Sequence, residues 1–212
     1  MKKLYLLLCV LSLAFYSRAA VVEINGIYYN LISKAKVAEV SSGTNPYSGS
    51  VTIPGQVTYE DVTYDVTAIQ KDAFSGCKYL TAVTIANSVT SIGENAFWRC
   101  SGLTSVTIGS GVKDIGAKAF FECESLPTIT IPDNVTSIGE YAFTGCIKLE
   151  SITLPSNLTV IDNYLFHNCS SLASITLPAG VTRIGDYAFR GCQALTAFTI
   201  PESVTEIGNS FL

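Results

Sequence analysis

Cysteine is the residue whose spacing in this sequence first suggests chemistry. Six cysteines follow one another at intervals of 23 residues: Cys77, Cys100, Cys123, Cys146, Cys169 and Cys192. Regularly placed thiols could form a ladder of disulfides, bind a metal ion or supply a nucleophile. The only histidine, His167, stands two residues before Cys169 and could act as the base for such a nucleophile.

Each of these chemistries meets an objection in the sequence. Equivalent cysteines of a repeat point in parallel, whereas a disulfide needs converging Cβ atoms and Cα atoms about 4.4–6.8 Å apart. One histidine and no Cys-x-x-Cys pair make a poor zinc site. No carboxylate stands at a matching position to orient His167. We therefore predict buried free thiols, with occasional bridges as the alternative, and no catalytic residue, metal site or cofactor.

The cysteines form one column of a repeat, where a column is the set of residues at one repeat position. A phenylalanine column has the same period: Phe74, Phe97, Phe120, Phe143, Phe166 and Phe189. Leucines from Leu80 to Leu195 and isoleucines from Ile69 to Ile207 follow in step. Such self-similarity is the signature of a solenoid, whose single repeats, or coils, cannot bury their apolar sides alone. Cysteine in these columns behaves as a small buried hydrophobe.

Each coil contains an alternating segment that predicts a strand. In one coil Leu103, Val106 and Ile108 are expected to point inward. Ser105 and Thr107 lie between them and are expected to point outward. A proline column then ends the strand by removing a backbone donor. Its members are Pro132, Pro155, Pro178 and Pro201.

The rest of each coil predicts a second, shorter extended piece and a helical turn. Val112 and Ile115 form the extended piece, and Gly116 follows at a position suited to a helix N-cap. The turn is expected to end near Cys123. The predicted fold class is therefore an α/β repeat solenoid with stacked parallel strands and short helical turns.

The N-terminal segment predicts export. Residues 1–19 carry Lys2 and Lys3 before an apolar stretch, with small residues ahead of a cleavage site, as in a signal peptide. The apolar stretch, 4–16, is too short to span a bilayer, so we expect no membrane insertion after the signal is cleaved.

Residues 20–50 depart from the repeat and predict an antiparallel β cap, with a hairpin turn at Asn25–Gly26. Such a cap would cover the open end of the first coil. We assign residues 51–212 to repeats, with a hairpin insert at 56–65.

The last repeat is incomplete, and Leu212 stands where the phenylalanine column would continue. We expect a truncated chain; the alternatives are self-association, in which a dimer closes the open C-terminal coil, and a frayed final coil.

The repeat resembles a known family. The pattern LxxVxIPxxVxxIGxxAFxxC, which runs through residues 51–212, is similar to the BspA-type leucine-rich repeat of bacterial surface proteins. The segments INGIYYNL and VTYEDVTYDVT resemble the lead-in of such proteins in the Bacteroides–Prevotella group. The resemblance implies a leucine-rich-repeat horseshoe and a secreted or surface-displayed binding module. Some members of that family are adhesins for host matrix proteins.

Charge excludes one class of partner. The formal net charge is -4, and without residues 1–19 the chain has 10 basic against 17 acidic residues, or -7. No basic stripe is present to follow a phosphate backbone, so we expect no nucleic-acid partner. The resemblance implies instead a protein partner, such as a host extracellular-matrix or surface protein.

The outward strand positions supply the candidate binding surface. They form two files of small hydroxyl residues that would repeat about every 4.8 Å on stacked strands. We name eight of them the Ser/Thr surface: Ser105, Thr107, Thr128, Thr130, Ser151, Thr153, Ser174 and Thr176. Threonine also simply suits a solvated strand face. The other interpretations are docking of a protein strand or glycan, and ice binding.

Aromatic residues outside the core are the second candidate. Trp98 and Phe121 share a column on adjacent coils and could be interaction hot spots or cover for neighbouring turns. For Tyr141, Tyr164 and Tyr187 we expect the covering role.

The sequence therefore predicts an exported, non-catalytic binding module that is secreted or held at the cell surface and acts in adhesion or protein recognition. The alternative function is that of a structural spacer or tether within a larger surface protein. Ice or glycan binding through the threonine ladder comes third.

Overall fold

The computed structural model describes residues 20–196 and 198–212, and the predicted signal peptide lies outside them. The N-terminal part of the described chain contributes six strands: β1 (Ala20–Ile24), β2 (Ile27–Ile32), β3 (Val37–Val40), β4 (Gly49–Ile53), β5 (Gln56–Tyr59) and β6 (Val62–Ile69). The repeats contribute longer strands on one side of the coil: β7 (Leu80–Ile85), β9 (Ser105–Thr107), β11 (Thr128–Thr130) and β13 (Ser151–Thr153). Two-residue strands lie on the other side: β8 (Ser91–Ile92), β10 (Asp114–Ile115), β12 (Ser137–Ile138), β14 (Val160–Ile161), β15 (Arg183–Ile184) and β16 (Glu206–Ile207).

Two hairpins form where the sequence predicts them. The first joins β1 to β2 through Asn25 and Gly26, both with positive φ, as a type I′ turn requires. The second joins β5 to β6 through Glu60 and Asp61, which also have positive φ. With β3 antiparallel to β2, the predicted meander is confirmed, whereas the division of the chain into a cap and repeats at residue 50 stays a prediction.

The meander is continuous with the repeats through both backbone and core. β3 pairs in parallel with β6, and β8, β10 and β12 extend the same sheet along successive coils. The ring of Tyr47 packs 4.5 Å from that of Phe74, between their centroids, and so covers the first ring of the phenylalanine column. The open end of the first coil is thereby shielded from water.

The phenylalanine column forms the centre of the core. Its six rings stack nearly in parallel along the solenoid and are at most 1% exposed. The distances between successive centroids are 4.9, 5.1, 5.4, 5.8 and 5.4 Å. Leucine, isoleucine and cysteine columns surround them, so the predicted stacking of parallel strands in a repeat solenoid is confirmed.

The predicted helical turn is wrong, because the described residues include no helix. After Gly116, backbone donors alternate between two directions. Those of Ala119 and Phe121 bond three residues back, whereas those of Lys118, Phe120 and Glu122 bond to the next coil at 2.8–2.9 Å. Lys118 and Glu122 have positive φ, which no α-helix accommodates. Bonding between coils thus replaces the helical ladder.

The glycine that precedes this turn is therefore not a helix N-cap. A Cβ atom built on Gly139 would lie 2.5 Å from the backbone nitrogen of Ala117 in the preceding coil. The same approach lets Gly139 donate its N–H to the carbonyl oxygen of Ile115 at 2.8 Å. Glycine occupies this column because the coils meet closely there.

Asp162 and Gln70 are the exceptions in the glycine column, and the sheet breaks beside Asp162. β12 and β14 lie in adjacent coils, yet β12 ends one sheet and β14 begins another. Asp162 carries a Cβ atom, whereas its column neighbours Gly139 and Gly185 have none and lie close to the backbone of the preceding coil. Its carboxylate instead accepts hydrogen bonds from the backbone of Asn163 at 2.9 Å and from Arg183 at 3.0 Å.

The glycine column yields a stability prediction. Gly139→Ala should lower the free energy of unfolding by about 1–3 kcal/mol, since the added methyl meets backbone atoms that cannot move aside. Gly180→Ala is the control, because nothing lies within 4 Å of a Cβ built there and its φ is not positive. Urea unfolding of both variants measures the difference. Equal destabilisation by the two substitutions would contradict the packing explanation.

Candidate recognition surface

The residues of the Ser/Thr surface lie on the solvent side of the strands. All eight are exposed, whereas Ile129 and Ile152, which alternate with them, are 2% and 7% exposed. Val106 is less buried than its expected inward position implies, because it is only half-buried. The alternation of inward and outward positions is otherwise as the sequence predicts.

Strand pairing aligns this surface across coils. β11 and β13 pair in parallel, with Thr128 opposite Ser151 and Thr130 opposite Thr153. The hydroxyl oxygens of Thr128 and Ser151 lie 3.3 Å apart and share a hydrogen bond. A single bridge then joins Ser151 to Ser174. Six of the eight residues thus form a continuous surface on three neighbouring coils.

Ser105 and Thr107 stand apart from that surface. In the part of the chain that the structure describes, no backbone pairing joins β9 to β11. The cause is Pro127. Other residues of its column donate their backbone N–H to the preceding coil, as Thr104 does to the carbonyl oxygen of Thr81 at 2.8 Å. Proline has no N–H to donate. A groove of about 490 Å³ follows the gap and is lined by residues of both strands.

Trp98 and Phe121 lie on the turn between the two sheets of each coil. Their rings stack with centroids 6.4 Å apart and an interplanar angle of 18°, and both residues are half-buried. The guanidinium carbon of Arg99 lies 4.3 Å from the centre of the Trp98 ring. Arg99 also donates a hydrogen bond to Glu122 at 2.7 Å. We call these four residues the aromatic patch.

The aromatic patch contains a feature that sequence reasoning missed. Arg99 and Glu122 have φ of 55° and 52°, in the left-handed region. The same column elsewhere holds residues that adopt this conformation more readily: Gly76, Gly145, Asn168 and Gly191. The glycines and the asparagine in that column were the signal in the sequence that could have revealed the left-handed conformation.

The tyrosine column packs as expected, each ring covering a ring of the next coil. The centroids of Tyr141 and Tyr164 are 4.6 Å apart, and those of Tyr164 and Tyr187 are 4.9 Å apart. The ammonium nitrogen of Lys118 lies 5.4 Å from the centroid of the Tyr141 ring, and the guanidinium carbon of Arg190 lies 5.3 Å from the centroid of the Tyr187 ring. We call the three rings the tyrosine stack.

The cysteines are structural in their surroundings. All six are buried and free of disulfides, as predicted. From Cys100 onward, each thiol donates a hydrogen bond to a phenylalanine carbonyl of the preceding coil, as Cys123 does to Phe97 at 3.3 Å. Burial raises the pKa of Cys146 and of Cys192 to about 12, so neither thiol forms the nucleophilic thiolate near neutral pH.

His167 and Cys169 do not form a catalytic pair. Cys169 is fully buried, and its thiol donates a hydrogen bond to the carbonyl oxygen of Phe143 at 3.2 Å. The His167 ring instead contacts the edge of the Tyr164 ring, with centroids 5.6 Å apart. Within residues 20–196 and 198–212, no group of three or more His, Cys, Asp or Glu side chains is arranged to hold a metal ion.

The fold and the columns together define a leucine-rich-repeat protein. The BspA-type leucine-rich-repeat region, in six copies, matches residues 54–126 and 92–212, and the chain belongs to that family. Proteins of this family generally mediate protein interactions, are generally non-enzymatic and are typically exported or displayed at the surface. The described residues include no helix of the length and hydropathy that a membrane span requires.

Solved structures of leucine-rich proteins are similar along most of this chain. A leucine-rich cell surface protein from Faecalibacterium prausnitzii is 38% identical to this chain, with a TM-score of 0.79. The match covers 89% of this chain and 50% of that protein. A leucine-rich repeat protein from Bacteroides ovatus is 36% identical, with a TM-score of 0.66, and the match covers 88% of this chain and 55% of that protein. The leucine-rich repeat protein of T. pallidum is 29% identical, with a TM-score of 0.80, and the match covers 89% of this chain and 86% of that protein.

This chain therefore spans about half the length of the first two of these proteins. No curated protein matches the sequence.

The thiol environment predicts resistance to alkylation. A thiol reagent at neutral pH should modify few of the six cysteines in the folded chain and all six after denaturation, since folded thiols are both buried and protonated. Cys192, which is 9% exposed, should react first. Mass spectrometry of the labelled peptides measures the order. Rapid modification of Cys123 or Cys146 in the folded chain would contradict this environment.

His167 predicts a pH dependence of stability. Burial and the charge of Arg190 lower its pKa below the ordinary value of 6.5. Protonation therefore favours the unfolded chain: stability is undiminished above about pH 6.5 and decreases below it until the folded state is also protonated. Urea unfolding at several pH values measures this loss.

His167→Thr is the control, because Thr144 occupies the same column one coil earlier. The variant should lose less stability than the wild type between pH 7 and pH 5. Parallel pH profiles for the two proteins would assign the acid sensitivity to other groups.

Proposed function

We propose that this chain is an exported recognition module that binds a protein partner through the Ser/Thr surface. The observation that carries the proposal is the alignment of exposed hydroxyls on paired strands, from Thr128 and Thr130 to Ser174 and Thr176. The fold needs only the inward columns between them. The outward positions are therefore free to serve binding.

The chemistry of this surface supports a polar, uncharged contact. Each hydroxyl offers one donor and two acceptor lone pairs. No charged side chain stands at the outward positions of β11 or β13. Binding should therefore depend on hydrogen bonds and buried area rather than on charge attraction, and it should change little with salt concentration.

A protein of an extracellular matrix or another cell surface is the partner class that we propose, with adhesion as the outcome. The similar Faecalibacterium protein is described as a cell surface protein, which supports display outside the cell. We propose the aromatic patch as a second contact, since tryptophan and arginine are enriched among residues that dominate binding energies.

Binding of the chain to a panel of purified extracellular-matrix proteins tests this proposal. The variant Thr130→Lys with Thr153→Lys adds bulk and charge to the middle of the Ser/Thr surface. Affinity should fall at least tenfold, because lysine cannot reproduce the buried hydroxyl contacts and must be desolvated.

The matched control is Thr136→Lys with Thr159→Lys, two exposed threonines on the side of the short strands. Lysine already stands in that column at Lys113. The control should keep its affinity within about twofold, a change of less than roughly 0.5 kcal/mol. Equal losses in both variants, or no binding to any panel protein, would favour the role of a spacer.

A further inference from the structure

The tyrosine stack brings three oxidisable phenols into contact on one exposed edge. Tyr141 and Tyr164 are nearly parallel, with an interplanar angle of 8° and centroids 4.6 Å apart, and Tyr187 continues the stack at 4.9 Å. All three residues have φ between 56° and 61°, a conformation that bulky side chains rarely adopt. All three residues are half-buried, so part of each remains accessible to solvent.

We propose that this stack is a site of oxidative cross-linking, at which a dityrosine bond joins the ring of Tyr164 to that of Tyr141 or Tyr187. The oxidant is a haem peroxidase with hydrogen peroxide, which removes one electron at a time from phenols. The product is a covalent link between adjacent coils of one chain.

The reaction balances with one peroxide for each link. Each of two tyrosines loses one electron to the peroxidase and its hydroxyl proton to water, which leaves two neutral phenoxyl radicals. These couple through the ring carbons next to the oxygen, so one carbon–carbon bond forms. Both carbons then lose their hydrogens as protons while both oxygens regain one. The two electrons and two protons removed reduce hydrogen peroxide to two waters.

Geometry favours this stack over the other oxidisable groups described. Radical coupling requires two tyrosines in contact, and Tyr79, although 77% exposed, belongs to no tyrosine pair among the described residues. Tyr28 and Tyr47 meet edge to face at 6.1 Å, and Tyr47 is buried. The six repeat thiols are buried and do not compete for the oxidant at the surface.

The test treats the full chain with a haem peroxidase and hydrogen peroxide at low protein concentration. Trypsin separates the three tyrosines into the peptides 119–148, 149–183 and 184–190, each of which contains one tyrosine. We expect monomeric protein in which 149–183 is joined to 119–148 or to 184–190, with two hydrogen atoms lost per link.

Phenylalanine variants keep the rings stacked and locate the bond. Tyr141→Phe should restrict the link to Tyr164 and Tyr187, and Tyr187→Phe should restrict it to Tyr141 and Tyr164. Tyr164→Phe should abolish the intrachain link, because the remaining tyrosines lie two coils apart. Tyr79→Phe, the control, should leave the link unchanged.

Three results would overturn the proposal. The first is an intrachain link that persists in Tyr164→Phe. The second is oxidation of the peptide 79–99, which contains Tyr79, without any link among the three stack peptides. The third is cross-links found only between chains.

Discussion

The contact between each coil and the next is the interaction on which this structure depends, because no coil holds enough apolar surface to fold alone. The phenylalanine rings stack from Phe74 to Phe189, and backbone donors of one coil meet acceptors of its neighbour beside them. Both interactions require coils spaced by about the 4.8 Å that separates paired strands. The same spacing selects small residues, glycine at the closest approach and cysteine beside the rings.

Two departures from the repeat interrupt this contact without opening the core. Pro127 removes a donor between β9 and β11, where β10 and β12 still pair on the other side of the coil. Beside Asp162, β12 and β14 belong to different sheets, where β11 and β13 still pair. Leu126 and Ile161, next to the two departures, stay fully buried. Each break is tolerated because the opposite ladder and the phenylalanine stack continue through it.

Different physical demands separate the strand side from the turn side. Strand residues alternate, so half of them are released from packing and carry uncharged hydroxyls. Turn residues must supply left-handed conformations, which cost free energy for any side chain larger than glycine. The tyrosine stack and the ion pair of Arg99 with Glu122 offset that cost through contacts between coils. Side chains on the turn are therefore coupled in pairs and triples, whereas on the strand side the hydroxyls of Thr128 and Ser151 share one hydrogen bond and the other members of the Ser/Thr surface point separately to solvent.

The sequence by itself determined the solenoid, its inward and outward columns and both hairpins. A 23-residue period, alternation along a strand and a pair such as Asn25–Gly26 are local signals that few folds satisfy. Only the tertiary structure decided that the turn after Gly116 is not a helix, because its donors bond to the next coil. The break beside Asp162 likewise arises between residues about one repeat apart. Such contacts depend on the distance between neighbouring coils, and the local conformational preferences of the sequence do not determine that distance.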